Sequence, residues 1–243
     1  MSKDNNTSLG DGGKYKHLFF DLDHTLWDFE ANAKATLQEL HHSLQLEERG
    51  VHDFELFYTN YLAINEKLWE RYRNGHIKQE DLRIKRMRQS LLEFKIADET
   101  LAKAMSIQFL ELLPTRTILF PFTKEILTYL AGKGYEMHLI TNGFEEIQYK
   151  KLKYSGIDSF FKEVITSERS GSLKPHREIF EFAFRKTNAV PEQSIMLGDT
   201  LEVDIQGAIN FGIDQVFVNH HGIATEMKPT YTVNTLKELE NIF

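Results

Sequence analysis

Apolar residues follow two rhythms along this chain. From about residue 30 to 117 they recur every three to four positions, as in Leu37, Leu40 and Leu44, with no convincing strand between them. A second stripe runs through Phe54, Phe57, Tyr58, Tyr61, Leu62, Ile64, Leu68 and Trp69. Asn74-Gly75 marks a turn, a third helix opens at Ile77 and runs to about Phe94, and Asp98 or Thr100 caps a fourth that stops at Pro114. This spacing predicts a four-helix bundle.

On either side the apolar residues gather into short runs instead. Leu18-Phe19-Phe20 predicts a buried strand. After Pro121, helices at about 122–132, 144–155, 176–187 and 203–211 alternate with strands at Met137–Ile140, Glu163–Ile165, Ile195–Leu197 and Gln215–Val218. Leu236–Ile242 predicts a short closing helix. Repeated βα units imply an α/β fold, a parallel sheet flanked by helices on both faces. The expected organisation is therefore a Rossmann-like core at 17–29 and 118–243, interrupted after its first strand by a helical module at 30–117. Residues 1–16, rich in Asn, Ser, Gly and Asp, read as a disordered leader with no apolar secretory segment.

Composition narrows the classes. The 243 residues suffice for one α/β core plus an appended module, and their 41% hydrophobic content is that of a globular protein. No run approaches the roughly 18 apolar residues that span a bilayer. The absence of cysteine excludes disulfides, thiolate metal sites and Cys nucleophiles, and agrees with a cytoplasmic location. A net charge of −7 gives no global attraction for a nucleic acid polymer or an anionic membrane. The expected partner is a small molecule, with the chain a monomer or weak homodimer. If that molecule is an anion, a metal ion, a few local cations and helix N-termini must capture it.

Candidate chemistry sits where strands end. The first strand runs into Asp21-Leu22-Asp23-His24-Thr25, the second into Thr141-Asn142-Gly143, and a later one into Gly198-Asp199-Thr200, with Asp204 five residues beyond Asp199. Lys174-Pro175 precedes a helix. Singly, each has an ordinary reading: Thr141 a helix cap, Lys174 a solvated lysine, Asp199 a turn residue, Asp204 a first-turn acid. In order, at successive ends of one parallel sheet, they form a set suited to a phosphate monoester. Asp21 can attack phosphorus and Asp23 can handle protons. Asp21, Asp199 and the Asp23 backbone carbonyl can hold Mg²⁺. Thr141, the backbone N–H groups at Asn142-Gly143 and Lys174 can bind phosphoryl oxygens, while Asp204 orients Lys174 or a metal-bound water.

The stretches DLDHT, TNG, the lysine of LKP and GDTLEVD together resemble the four motifs of the haloacid dehalogenase (HAD) superfamily. The resemblance implies a HAD-like core with a helical cap of the family's first type. It also implies that Asp21 is a nucleophile forming an aspartyl-phosphate and Asp23 the general acid and base. Family dehalogenases and phosphonate hydrolases lack an acid at the Asp23 position, which favours phosphoryl transfer. The cap stretch INEKLWERYRNGHIKQEDLRIKR and TNGFEEIQYKKLKYSG resemble the superfamily's 5′-nucleotidases, which act on pyrimidine or non-canonical nucleoside monophosphates.

That resemblance makes Asn74, His76, Glu80 and Arg83 candidate readers of the leaving group, or else an ordinary charged helix face. Trp27, Phe29 and Tyr72 are candidates to stack on a base or to pack in hinge and core; His220-His221 reads as a loop pair. Hinges are expected near 29–31 and 115–121. A phosphatase of sugar or other small metabolite phosphates would use the same core. A receiver-like phospho-acceptor domain would also combine Asp, Thr and Lys, but it is shorter and lacks the second acid.

Overall fold

In a computed structural model, which describes residues 13–243, six parallel strands form one sheet in the order β3-β2-β1-β4-β5-β6. The strands are β1 (His17–Phe20), β2 (Glu136–Thr141), β3 (Phe161–Thr166), β4 (Ser194–Gly198), β5 (Asp214–Val218) and β6 (Tyr231–Val233). β1 is central, pairing His17 with both Glu136 and Ser194, and Phe20 with both Leu139 and Leu197. The chain builds outward to β3 on one side, then crosses back to lay β4 against the other side of β1. That reversal opens a crevice beyond the carboxyl ends of β1 and β4, where such sheets bind ligands.

Alternation along β1 sets two apolar layers. Leu18 and Phe20 point into the larger core with Leu139 and Leu197. Phe19 points the other way, towards Ile140, Met196 and the aromatic side chains Phe180 and Phe184 of α8. Core helices are α5 (Thr123–Gly132), α6 (Glu145–Ser155), α7 (Ser167–Ser170), α8 (Arg177–Thr187) and α9 (Gln206–Phe211).

Between β1 and α5 stand four helices, α1 (Phe29–Ser43), α2 (Phe54–Arg73), α3 (Gln79–Leu92) and α4 (Glu99–Leu112). Asp28, Asp53 and Asp98 cap α1, α2 and α4 by accepting the N–H groups of Ala31, Leu56 and Leu101. The two chain crossings between this module and the core are laced together. Phe120 N–H donates to Leu26 O, and Asp28 N–H to Ile118 O. The buried Asn32 amide donates to the carbonyls of Asp28 and Ile118 and accepts from Ile118 N–H.

Four expectations need correction. The third helix starts at Gln79, not Ile77, because Ile77 turns into a small cluster with Leu68, Leu82 and Phe144. The edge strand β6 adds to the expected strands; its three residues after Pro229-Thr230 carry little periodicity. The closing segment Leu236–Asn241 is a 3₁₀ turn run rather than an α-helix. The proposed leader is too long: residues 1–12 lie outside the described residues, but Tyr15 is buried and donates to Asp214 at 2.6 Å, while Lys16 N–H bonds Gln193 O. An aromatic body with a hydroxyl tip anchors the chain there. Among the described residues no helix is long and apolar enough to cross a membrane.

Candidate active site

The switch point gathers Asp21, Lys174, Asp199 and Asp204. Asp21 N–H donates to Leu197 O at 2.8 Å, so β1–β4 pairing continues one residue beyond the strand and aims the Asp21 side chain into the crevice. Asp21, Asp199 and Asp204 each offer a carboxylate oxygen, and these oxygens lie within 4.8 Å of one another. Lys174 Nζ donates to Asp21 Oδ1 at 2.7 Å and forms an ion pair, also at 2.7 Å, with Asp204 Oδ1. Only 1% of the lysine side chain is exposed. The surface reading of Lys174 is therefore overturned by the fold.

Local sequence explains how these groups converge. A wide turn at Leu201–Ile205 carries Asp204 back towards the end of β4, where Thr200 N–H donates to its Oδ2 at 3.1 Å. Gly198 leaves the space: a Cβ there would stand 2.4 Å from Asp204 Oδ2. Asp199 accepts from Thr25 at 2.7 Å and from Thr200 at 3.1 Å. The Asn142 side chain brackets the Lys174 backbone, accepting its N–H at 2.7 Å and donating to its carbonyl at 2.9 Å. Gly143 N–H donates to Thr141 Oγ1 at 3.1 Å.

Burial and mutual repulsion dominate the electrostatics. Burial pushes the Asp21 carboxyl up to about 8, with Asp204 and Asp199 adding to the shift and Lys174 opposing it. Asp199 is pushed up to about 7 by burial and by Asp204, against donors from Thr25 and Thr200. Burial works against the Lys174 ammonium, but Asp204 and Asp21 outweigh it and hold its pKa above the usual lysine value. Three clustered carboxylates face one ammonium. Such an oxygen-rich, charge-deficient cluster fits a hard divalent cation of the Mg²⁺ kind.

Asp23 lies apart from that cluster and has its own partners. Lys151 Nζ donates to its Oδ1 at 2.6 Å, and Gln148 Nε2 to its Oδ2 at 3.0 Å. The Gln148 amide also donates to Thr141 Oγ1 at 2.7 Å. Sequence reasoning passed over both α6 residues. Their signal is positional: Gln148, Lys151, Leu152 and Ser155 share the inward face of α6, where a lysine is out of place unless paired.

The module's candidates are more dispersed. Asn74 terminates α2, and Asn74, His76 and Glu80 are exposed. Arg83 lays its guanidinium 4.3 Å over the ring of Phe144, the residue after Thr141-Asn142-Gly143. Trp69 stacks on the same ring at 5.5 Å, Tyr72 meets it edge-on, and Gln79 bonds Glu168 at 2.8 Å. Of the stacking candidates, Trp27 is wholly buried beneath Lys151 and Phe29 packs on His24, so neither offers a free face. His220 stacks on Phe120 and bonds Thr25 O at 3.0 Å, a packing role.

The strand order 3-2-1-4-5-6, with an acid cluster and a buried lysine at its switch point, is that of a doubly wound, Rossmann-like α/β enzyme. The chain belongs to the haloacid dehalogenase-like hydrolases, which it matches over residues 15–212. It is 31% identical over 228 residues to the pyrimidine 5′-nucleotidase PynA of Streptococcus pneumoniae, covering 93% of each chain. It is 30% identical over 233 residues to the pyrimidine 5′-nucleotidase YjjG of Escherichia coli, covering 94% of this chain and 98% of that one. The magnesium-bound structure of YfnB from Bacillus subtilis superposes with a TM-score of 0.85 at 26% identity, covering 95% of this chain and 99% of that one.

Proposed function

We propose that the protein is a Mg²⁺-dependent phosphomonoesterase that hydrolyses nucleoside 5′-monophosphates, pyrimidine or non-canonical, through an aspartyl-phosphate on Asp21. The observation that carries this reading is the division of labour at one strand end. Asp21 is paired to Lys174 within the acid cluster, whereas Asp23, two residues on, is held by a separate set of donors. Similarity to two pyrimidine 5′-nucleotidases over nearly the full chain supports the nucleotide.

Asp21, Asp199 and the Asp23 backbone carbonyl would hold Mg²⁺, which when bound would neutralise charge on phosphoryl oxygens, while Asp204 would orient Lys174 or a metal-bound water. Thr141, the N–H groups at Asn142-Gly143 and Lys174 bind those oxygens and orient phosphorus towards Asp21. An Asp21 oxygen forms the new bond to phosphorus as the ester P–O bond breaks, and Asp23 gives its proton to the departing alkoxide. Asp23, now a carboxylate, takes a proton from water. The water oxygen bonds phosphorus, the Asp21–phosphorus bond breaks, and inorganic phosphate leaves. Acid–base help of this kind is worth about 10² to 10⁴ in rate. Asn74, His76, Glu80 and Arg83 of the helical module are the proposed readers of the leaving group. The corresponding cellular assignment is a cytoplasmic enzyme, monomeric or weakly dimeric.

A substrate panel tests the proposal. With Mg²⁺, kcat/KM for dUMP, dTMP and UMP is expected to exceed that for hexose phosphates, and chelation is expected to remove the activity. Hexose phosphates outrunning all three nucleotides would retire the nucleotide assignment. Stable phosphate on the protein without turnover would point to a receiver instead.

A further inference from the structure

The canopy of donors over Asp23 belongs to neither the acid cluster nor the phosphate loop, and it has a chemical consequence. Each Asp23 oxygen has one side-chain donor, and the two donors stand one helical turn apart on α6, at positions 148 and 151. Gln148 is fully buried and Lys151 is 3% exposed. The Lys151 ammonium rests 4.3 Å from the Trp27 ring, and Asp23 is its one carboxylate contact among the described residues. Burying a lysine in this way costs several kcal/mol unless it is paired, so the pair ties α6 to one rotamer of Asp23.

The same amide that holds Asp23 Oδ2 also donates to Thr141 Oγ1, 2.7 Å away. It thereby sets the acid–base carboxylate and the phosphate-loop hydroxyl in register. The glycine of Thr141-Asn142-Gly143 makes this possible. A Cβ at Gly143 would stand 2.3 Å from Gln148 Nε2 and 2.4 Å from its Cδ, so no larger residue leaves the amide where it is.

We infer that Lys151 and Gln148 are positioning residues for proton transfer: by occupying both oxygens of Asp23 from one face of α6, they fix that carboxyl group in the orientation that serves the leaving oxygen. The inference rests on the proposed role of Asp23. It adds two residues outside the four motif stretches, and it explains a buried lysine that the acid cluster does not use.

Leaving-group dependence separates positioning from mere support of the fold. For an ester cleaved through an enzyme-bound phosphate, kcat/KM reports only the steps through departure of the alcohol. An alkyl phosphate such as dUMP needs a proton on its leaving oxygen, whereas p-nitrophenyl phosphate hardly does. Lys151→Met is expected to lower kcat/KM for dUMP about 100-fold and for p-nitrophenyl phosphate less than about 5-fold, within the span of general acid catalysis. Gln148→Met is expected to show the same split with a smaller loss, about 10-fold on the alkyl ester, and serves if Lys151→Met fails to fold. On an Asp23→Asn background, Lys151→Met or Gln148→Met is expected to change either rate less than 2-fold.

Equal losses on both esters in the folded variants, or the same loss with and without Asp23, would overturn the inference. Asp23→Asn alone judges the underlying role. If that variant treats both esters alike, Asp23 is not the acid and the earlier proposal fails, whatever Lys151 does.

Discussion

The two ends of β1 carry two buried titratable clusters built on opposite principles. At the carboxyl end, Asp21, Asp199 and Asp204 crowd around Lys174. At the amino end, about 13 Å away along the strand, His17 lies 3.3 Å from His138 and 3.9 Å from Glu136. There the acid is already compensated: Lys162 and Lys16 approach Glu136 to 3.1 and 3.6 Å. Burial lowers both imidazoles, His138 to about 4, which favours their neutral forms, and His138 stacks between His17 and Phe19. Both clusters are groups of metal-ligating residue types, yet only the carboxyl end is short of positive charge. A site is distinguished from packing by what its charges still lack, not by which residue types it contains.

The sharpest way to break this comparison is at the nucleophile. Asp21→Asn is expected to cut turnover by at least about 10⁴-fold while keeping or raising Tm, because one of three repelling carboxylates is gone. His17→Asn is expected to leave kcat/KM within 2-fold. Phosphate-release assays and thermal melts on both variants check the pair, and an active Asp21→Asn enzyme would end the argument.

Removing the buried cation comes next. Lys174→Met leaves Asp21 and Asp204 facing each other and is expected to cost about 3 to 5 kcal/mol in urea unfolding. Lys162→Met, at the exposed rim of the other cluster, is expected to cost no more than about 0.5 kcal/mol.

Acid titration reads the amino end. With its folded pKa near 4, below the ordinary 6.5, His138 binds fewer protons in the folded than in the unfolded chain. Stability is therefore highest above pH 6.5 and falls as pH drops towards 4, by on the order of 3 kcal/mol. His138→Leu is expected to flatten that fall in unfolding measured from pH 7 to 4.5; an unchanged slope would assign it elsewhere.

The carboxyl end has the opposite sign. Asp21 near 8 and Asp199 near 7 sit above the ordinary carboxyl value of 3.8. The folded chain thus holds extra protons between pH 4 and 8, and cation-free stability from this cluster falls as pH rises through that window. Saturating Mg²⁺ is expected to add about 2 to 3 kcal/mol near pH 8 and less near pH 6, read as a growing Tm difference with and without EDTA. A Tm difference independent of pH would contradict the repulsion described here.

Much of this architecture is legible in the residue spacing alone. The change from spacing of three and four to short apolar runs marked the helical module and the strands, because burial of one face or of both faces leaves different periods. Strand β6 has no legible signal because three edge residues, two exposed and one buried, are too few to show a period. The motif acids and Lys174 were legible as residue types, but each alone had an ordinary reading. Gln148 and Lys151 were overlooked because a polar residue on a helix looks solvated until the opposite wall is known.

By itself the sequence determined the alternation of elements, the apolar strand interiors and the placing of Asp21, Thr141 and Asp199 at strand ends, since these depend on neighbours a few residues apart. Only the tertiary structure decided that Lys174 is buried between two acids 153 and 30 positions away, and that Lys151 holds Asp23 across 128 residues. Whether a charge pairs, repels or awaits a cation depends on distance and dielectric, and folding fixes both.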